Sequence, residues 1–452
     1  MRKMKIRDIP SELKLFLYFM ILAVAGTFFL SLPFMYKDSS PYPLLDVLFT
    51  TVSAMCVTGL STFGADNFST AGLIVLMIII EAGGLGLIVF FSLYLVRPGT
   101  KVSHINRNFM RGFFLPSVET NTKVIITEIL YYTFAIQAVA SLLLMIILKS
   151  EGCEHYIFRS IFLSVSAFCN AGFSPYPDSL AAFSHSVPFT IVISALIVLG
   201  GLGFTVMQDV WRLIKAKSKG KRYRLSFHSR IVLSMTASLL FVPALIFLAL
   251  EYNRAFATLG TSEKLCAAFF QSVTVRTAGF EMTSQSALCS ASALVSCLLM
   301  IIGGNSGSMA GGIKTTTLYL ILCNAFRDDR DEGDLSVFKR DISDRTIAKS
   351  NSIATKAIML LFALLFFLMV AEGESIKQGI FSTGDLLFEV ISAISTAGLS
   401  RAVTPNLSCA GKILIIISMY IGRTGIIAMS MRIKAKSAYF SCAYPHEEIL
   451  VG

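Results

Sequence analysis

Four short segments, each placing a glycine behind a small residue, recur along the chain: CVTGL (56–60), CNAGF (169–173), RTAGF (276–280) and STAGL (395–399). Their glycines, Gly59, Gly172, Gly279 and Gly398, stand 113, 107 and 119 residues apart. A phenylalanine lies ten residues ahead of each: Phe49, Phe162, Phe269 and Phe388. An apolar run follows each one. An internal repeat constrains a fold more than composition does. Four similar units can surround one axis, and their glycines then face one point.

Composition decides the solvent. The 452 residues are 54% hydrophobic and 15% charged, with a mean hydropathy of +0.70. A soluble globular chain carries about 25% charge, and roughly 20 consecutive apolar residues cross a bilayer core. These figures predict an all-α polytopic membrane protein embedded in a lipid bilayer. The first apolar run, 15–32, follows Arg2, Lys3, Lys5 and Arg7. It exceeds the usual signal-peptide core and lacks a clean small-residue cleavage site, so it reads as a retained first span. The nine cysteines sit mostly in apolar runs without CxxC or Cys/His spacing, and the five histidines are scattered. Neither pattern fits a disulfide framework or a metal centre, and no catalytic cluster points to an enzyme. Basic connections between spans explain the net charge of +11 better than a nucleic-acid partner does.

Each unit reads as span, short re-entrant helix, glycine loop, span. First spans are expected at 13–35, 124–149, 229–250 and 353–372, and short helices at 43–56, 156–169, 263–276 and 382–395. Second spans are expected at 70–96, 186–210, 290–324 and 409–432. The unit boundaries fall at 1–110, 111–222, 223–340 and 341–452. The short helices cannot cross a membrane and fit the re-entrant class. The loop 211–230 holds Arg212, Lys215, Lys217, Lys219, Lys221, Arg222, Arg224 and Arg230 and no acid. The stretch 97–123 is basic, 326–356 mixes both signs but is rich in lysine and arginine, and the tail holds Arg432, Lys434 and Lys436. Lysine and arginine mark cytoplasmic connections. Both termini are therefore expected inside, with the glycine loops opening outward.

Non-helical backbone at membrane depth survives only where it is buried in protein or lines water. A pore loop meets that condition, and its carbonyls replace part of an ion's hydration shell. A simple tight turn explains one such glycine tripeptide. Four matched copies, each after a short helix, point to an ion filter. Its candidate lining is Thr58, Gly59, Asn170, Ala171, Gly172, Thr277, Ala278, Gly279, Thr396, Ala397 and Gly398.

On these motifs the chain resembles the Trk/Ktr/HKT superfamily of cation transporters over nearly its whole length. Its start at the first unit and its ending YPHEEILVG (444–452) are similar to the membrane subunits of the bacterial Ktr type. The resemblance implies four membrane–pore-loop–membrane repeats around one pseudo-fourfold pore. It implies potassium as the transported ion, with sodium assisting. It further implies a homodimer in the plasma membrane, one pore per subunit, and a cytoplasmic ring of nucleotide-binding regulatory subunits.

The third second-span is interrupted by GGNSGSMAGG (303–312), with Lys314 just beyond. Five glycines in ten residues disfavour a continuous helix, at about 1 kcal/mol each relative to alanine. The run GIKTTT imitates a phosphate-binding loop, but Ile313 separates glycine from lysine and no buried strand precedes it. The resemblance implies a gate loop beneath the filter, formed by Gly303, Gly304, Asn305, Ser306, Gly307, Ser308, Gly311, Gly312 and Lys314. The family pattern has proline where this chain has Ser306. Arg423 lies in mid-span; the resemblance puts it in the pore beside the gate loop, and snorkelling to the cytoplasmic edge is the alternative. The remaining intramembrane acids, Glu81, Glu128 and Glu251, are either proton sites or polar-paired span ends. The leading function is gated, channel-like potassium uptake. The alternative is a proton- or sodium-coupled alternating-access carrier, which needs paired broken helices. The sequence displays one broken span.

Overall fold

The computed structural model describes residues 11–38, 42–86, 122–326, 335–338 and 340–430. The first apolar run forms α1 (Ser11–Leu30), the short α2 (Leu44–Cys56) follows, and α3 (Thr70–Gly84) leaves the first glycine loop. The same succession continues with α4 (Thr122–Ser150), the short α5 (Tyr156–Cys169) and α6 (Val187–Leu202), to which α7 (Phe204–Ser218) is joined. Then come α8 (Phe227–Glu251), the short α9 (Thr261–Thr274), α10 (Ser290–Ile301) and α11 (Thr315–Ala325). A small antiparallel ribbon, β1 (Leu335–Val337) and β2 (Arg340–Ile342), precedes α12 (Asp344–Ala371). One turn, α13 (Gly373–Lys377), the short α14 (Thr383–Ser395) and α15 (Cys409–Ser430) complete the described chain.

The protein is a helical membrane protein. Among the described residues, Thr127–Ser150, Phe227–Glu251 and Asp344–Ala371 are each long and apolar enough to cross a bilayer. Their outward faces carry large apolar side chains such as Phe134, Ile146, Leu245, Phe362 and Phe366, as lipid contact requires. Between such helices there is no water to expel, so packing and interhelical hydrogen bonds hold the bundle together. One bond shows how a local defect is repaired. Pro243 inside α8 cannot donate to the carbonyl a turn earlier. Ser272 on α9 supplies the missing donor, bonding Leu240 O at 2.7 Å and Leu239 O at 3.3 Å.

The short helices occupy the centre. α2, α5 and α14 each pack between their own flanking helices, and α9 packs on α8. Three of them also meet a helix of the preceding unit: α5 on α3, α9 on α6 and α14 on α10. The last helix returns to the first unit, α15 packing on α2. There Lys412 Nζ meets Asp46 Oδ1 at 2.6 Å, and Tyr420 Oη donates to Phe16 O at 2.9 Å. Phe49, Phe162 and Phe388 are fully buried beside these contacts. Phe269 is only half-buried and Phe270 takes the core position instead. The cause is local: α9 stops two residues further from its glycine than the other short helices do, and the extra turn rotates its register.

Several expected elements differ from the sequence reading: the first span, expected to 35, ends at Leu30, and the third short helix, expected at 263–276, runs from Thr261 to Thr274. The second span expected at 186–210 is two helices meeting at 108° across Gly203. The basic loop expected from 211 accordingly starts as helix, since α7 runs to Ser218. The span expected at 353–372 begins earlier, at Asp344, directly after Ser343. Positions 87–96 of the first second-span, the basic stretch 97–121, and the tail from 431, with Arg432, Lys434, Lys436 and YPHEEILVG, lie outside the described residues.

Candidate functional site

Three short helices finish in the same way. The residue after α2, α5 and α14 adopts the left-handed conformation: Val57 (φ 58°), Asn170 (φ 59°) and Thr396 (φ 52°). The next amide closes the turn, Thr58 N to Ser53 O, Ala171 N to Ser166 O and Ala397 N to Ser392 O, each at 2.8 Å. The fourth, α9, adds a turn through Val275 and Arg276 before Thr277 enters the same region at φ 65°. Left-handed backbone at branched residues is uncommon and stores about 1–3 kcal/mol each. Something in the surroundings must hold it.

What holds it is the meeting of the four loops. All four glycines have φ between 72° and 103°. A methyl group on Gly59 would sit 2.8 Å from Ala171 O and 3.1 Å from Gly172 Cα. One on Gly172 would reach Gly279 Cα at 2.9 Å, and one on Gly279 would reach Ala397 O at 2.9 Å and Thr58 O at 3.1 Å. At Gly398 the clash with Thr58 O is worst, at 1.9 Å. The sequence-predicted residues Thr58, Ala171, Ala278 and Ala397 thus present carbonyls to one another's glycines across a common centre. Near it, the hydroxyls of Thr58, Thr277 and Thr396 are buried without a hydrogen-bond partner. Val57 belongs to this set and sequence reasoning left it out: an apolar side chain gave no sign of a left-handed turn, although its alignment with Asn170, Thr277 and Thr396 did.

The interruption of the third second-span is a closed loop between α10 and α11. Gly303 N bonds Ile313 O at 3.0 Å and Ile313 N bonds Ile301 O at 2.9 Å, so the chain leaves and re-enters at one point. Gly312, left-handed at φ 67°, packs on the Gly303 backbone. Asn305 is the hub and is completely buried. Its backbone N and its Nδ2 both donate to Gly201 O, at 3.0 and 3.1 Å, Nδ2 also reaches Thr236 Oγ1 at 3.4 Å, and Oδ1 accepts from Thr315 Oγ1. Ser308 Oγ donates to Asn305 O at 2.7 Å, and Gly304 O accepts from Thr315 N at 3.3 Å. Two further bonds tie the loop to the α6–α7 bend: Met309 N to Gly200 O at 3.2 Å and Phe204 N to Gly307 O at 3.2 Å. Ser306 O stands against Gly203, and Gly311 lies against Ser395 O and Thr396 Oγ1 at the foot of the fourth glycine segment.

Two cations grip the loop. Lys314 Nζ bonds Ala310 O at 2.7 Å and Gly311 O at 3.5 Å. Arg423 Nη1 donates to Met309 O at 2.7 Å, while Nη2 donates to Gly83 O at 2.9 Å and Gly84 O at 3.1 Å. Arg423 therefore joins α15, the end of α3 and the loop, and does not snorkel outward. Glu81 Oε2 accepts from Gln137 at 3.0 Å and Cys169 at 3.2 Å while its Oε1 is buried without a partner, and Glu128 accepts from Gln208 at 2.6 Å. Glu251 accepts from Cys289 N at 2.9 Å at the head of α10, where a carboxylate is favoured by the helix dipole. Glu372 does the same for Ser408 N at 2.9 Å ahead of α15.

The sequence profile of TrkH, described as a cation transport protein, matches residues 13–440. The chain belongs to this family. It is accordingly a cation transporter and not an enzyme. Among the family's relatives, the potassium/sodium uptake protein NtpJ of Enterococcus hirae is 35% identical over 96% of this chain and 95% of its own. The Ktr system potassium uptake protein B of Bacillus subtilis is 32% identical over 96% of this chain and 95% of its own. The fold is similar to the crystal structure of the potassium transporter TrkH from Vibrio parahaemolyticus, with a TM-score of 0.73 and 18% identity, covering 95% of this chain and 85% of that one.

Proposed function

We propose that the chain carries potassium into the cell through a gated, channel-like pore whose filter is the ring of four glycine segments. The mutual approach of the glycines, each within 3.1 Å of a neighbouring carbonyl oxygen if given a methyl, carries this reading. Carbonyls gathered in a ring can replace an ion's hydration shell. The units 1–110, 111–222, 223–340 and 341–452 are its four repeats, arranged with pseudo-fourfold symmetry. The return of α15 to α2 supports that closure. The names of the two relatives support potassium as the ion, and NtpJ's name supports sodium as a second one.

The loop 303–312 is the gate in this reading. It lies against the foot of the fourth glycine segment, and Arg423 and Lys314 hold it while placing positive charge where a cation would pass. A cytoplasmic nucleotide-binding ring, acting on a homodimer in the plasma membrane with both termini inside, would release it; the Ktr-system relative supports such a partner. The test is potassium and sodium flux in reconstituted vesicles for the wild type and four single Gly→Ser variants. Unchanged selectivity in all four would overturn the filter.

One observation favours the carrier alternative. The break at Gly203 gives the fold a second discontinuous inner helix, bonded to the first, and paired breaks are a carrier trait. Glu81 stands just before Gly83 and Gly84, whose carbonyls Arg423 holds together with the loop. Uptake that accelerates with an imposed proton or sodium gradient, and loses that response in Glu81→Gln, would establish the carrier.

A further inference from the structure

Helix α7 departs from α6 at 108°. Membrane-crossing helices tilt by about 20° from the bilayer normal, so a helix turned through this angle lies close to the membrane plane. Its first half is anchored. Phe204 N donates to Gly307 O at 3.2 Å, Gln208 Nε2 to Glu128 Oε2 at 2.6 Å, and buried Asp209 accepts from Tyr223 Oη at 2.5 Å and Ser226 N at 2.8 Å. These bonds fold the returning chain back against the helix and fix its direction.

The second half is bare. Trp211 and Ile214 are 53% and 54% exposed, and three residues apart they share one helix face. Arg212 and Lys215, also exposed, share the adjoining face. Lys217, Lys219, Lys221 and Arg222 follow, all exposed, with no acid among them. The apolar face continues a lipid-facing surface: Trp211 stands edge-on to Tyr132 of α4 with centroids 6.5 Å apart, and Tyr131 beside it is 71% exposed. Tryptophan and tyrosine collect where hydrocarbon meets water. A helix with an apolar face and a basic one is built to lie in that boundary.

The geometry points to α7 and the basic turn after it as a docking surface for anionic phospholipid headgroups. Clustered lysine and arginine beside a membrane attract such lipids. An acidic soluble subunit would match the charge, but it would leave Trp211 and Ile214, which are continuous with the lipid-facing side of α4, without an apolar phase. That the leaflet is the cytoplasmic one rests on the orientation proposed above; the docking itself does not.

Trp211 is the only tryptophan in the chain, so its fluorescence reports this helix alone. The full-length protein is reconstituted into vesicles of phosphatidylcholine containing equal small fractions of brominated phosphatidylglycerol or brominated phosphatidylcholine, in both leaflets. Brominated phosphatidylglycerol should be enriched around Trp211 by about fivefold over brominated phosphatidylcholine. That preference should fall with added salt and vanish in the triple variant Lys215→Gln, Lys217→Gln, Lys219→Gln, whose Trp211 should still be quenched by both lipids. Equal quenching by the two lipids in the wild type would overturn the proposal. So would an emission that neither lipid quenches, which would assign the surface to a soluble partner. Potassium flux in the same vesicles is read separately, so loss of transport and loss of lipid preference are distinguished.

Discussion

The glycine-loop side of the molecule and the side where the second helices continue differ in kind. On the first, α2, α5 and α14 end in the same bonds at the same length, and α9 differs by one turn. On the second, α6 bends at Gly203, α10 breaks into a loop, and α15 runs on to present Arg423. Under the function proposed above, the difference matches what each half would do. A ring that coordinates one ion needs equivalent oxygens from every side. A path along one axis is blocked by a single device. The unit that departs most on the first side, with its extra turn and nine-tenths-buried Arg276, is also the one whose second helix opens into a loop.

The largest expected effect breaks the equivalence of the ring. Gly398→Ser should be the most damaging of the four serine variants, because its Cβ would lie 1.9 Å from Thr58 O, against 2.8 Å for the closest contact at Gly59. Gly398→Ser should lower uptake at least about tenfold more than Gly59→Ser, a barrier difference near 1.4 kcal/mol. Equal losses, measured as initial rates in vesicles, would mean that the loops relax into an even ring.

Next comes the asymmetric half. Arg423→Ala removes three bonds to carbonyls, and bonds to a charged group contribute about 1.5–3 kcal/mol each. The loss of one such bond, at the low end of that range, would shift the closed-to-open ratio about tenfold. Unstimulated flux should therefore rise by about that factor, and a rate unchanged in inserted protein would place the gate elsewhere.

A third variant, Asn305→Ala, sharpens where the loop is held. It strips the side-chain bonds to Gly201, Thr236 and Thr315, and a buried group left unpaired costs about 1–3 kcal/mol. Thermal unfolding in detergent should show a clear drop, larger than for Ser308→Ala. Equal drops would make the loop a general spacer, not one pinned to the α6–α7 bend.

How far these halves were legible differs too. The short helices were readable because a glycine, a small residue and a phenylalanine recur at fixed offsets. The broken span was readable from glycine density. The Gly203 bend carried a weaker form of the same signal, Gly200, Gly201 and Gly203 within four residues, masked by the apolar run around them. The partners of Arg423 were not readable, because Gly83, Gly84 and Met309 contribute only backbone oxygens, which any residue has. Nor was the register of α9, since one extra turn leaves the Phe-to-Gly spacing unchanged while rotating the helix.

The smallest effect lies at the outer rim of α9. The Gly260 amide first, and His185 after it, hold the Glu263 carboxyl below its usual value. A lowered pKa stabilises the fold above the ordinary value of about 4.5 and ceases to do so as pH falls through the lowered one. Glu263→Gln should therefore melt slightly earlier than the wild type above about 4.5, with the gap closing in more acid buffer. A gap that widened in acid would reverse the assignment.

The return of α15 to α2 has a consequence for how the protein is made. Asp46 and Lys412 are 366 positions apart, so α2 emerges from the ribosome and waits, one flank uncovered, until nearly the whole chain has been synthesised. Contacts this distant in sequence form late. The fourth glycine segment and Arg423 both belong to the last unit, so the meeting of four loops and the bonds from Arg423 to Gly83, Gly84 and Met309 all wait for the end of synthesis.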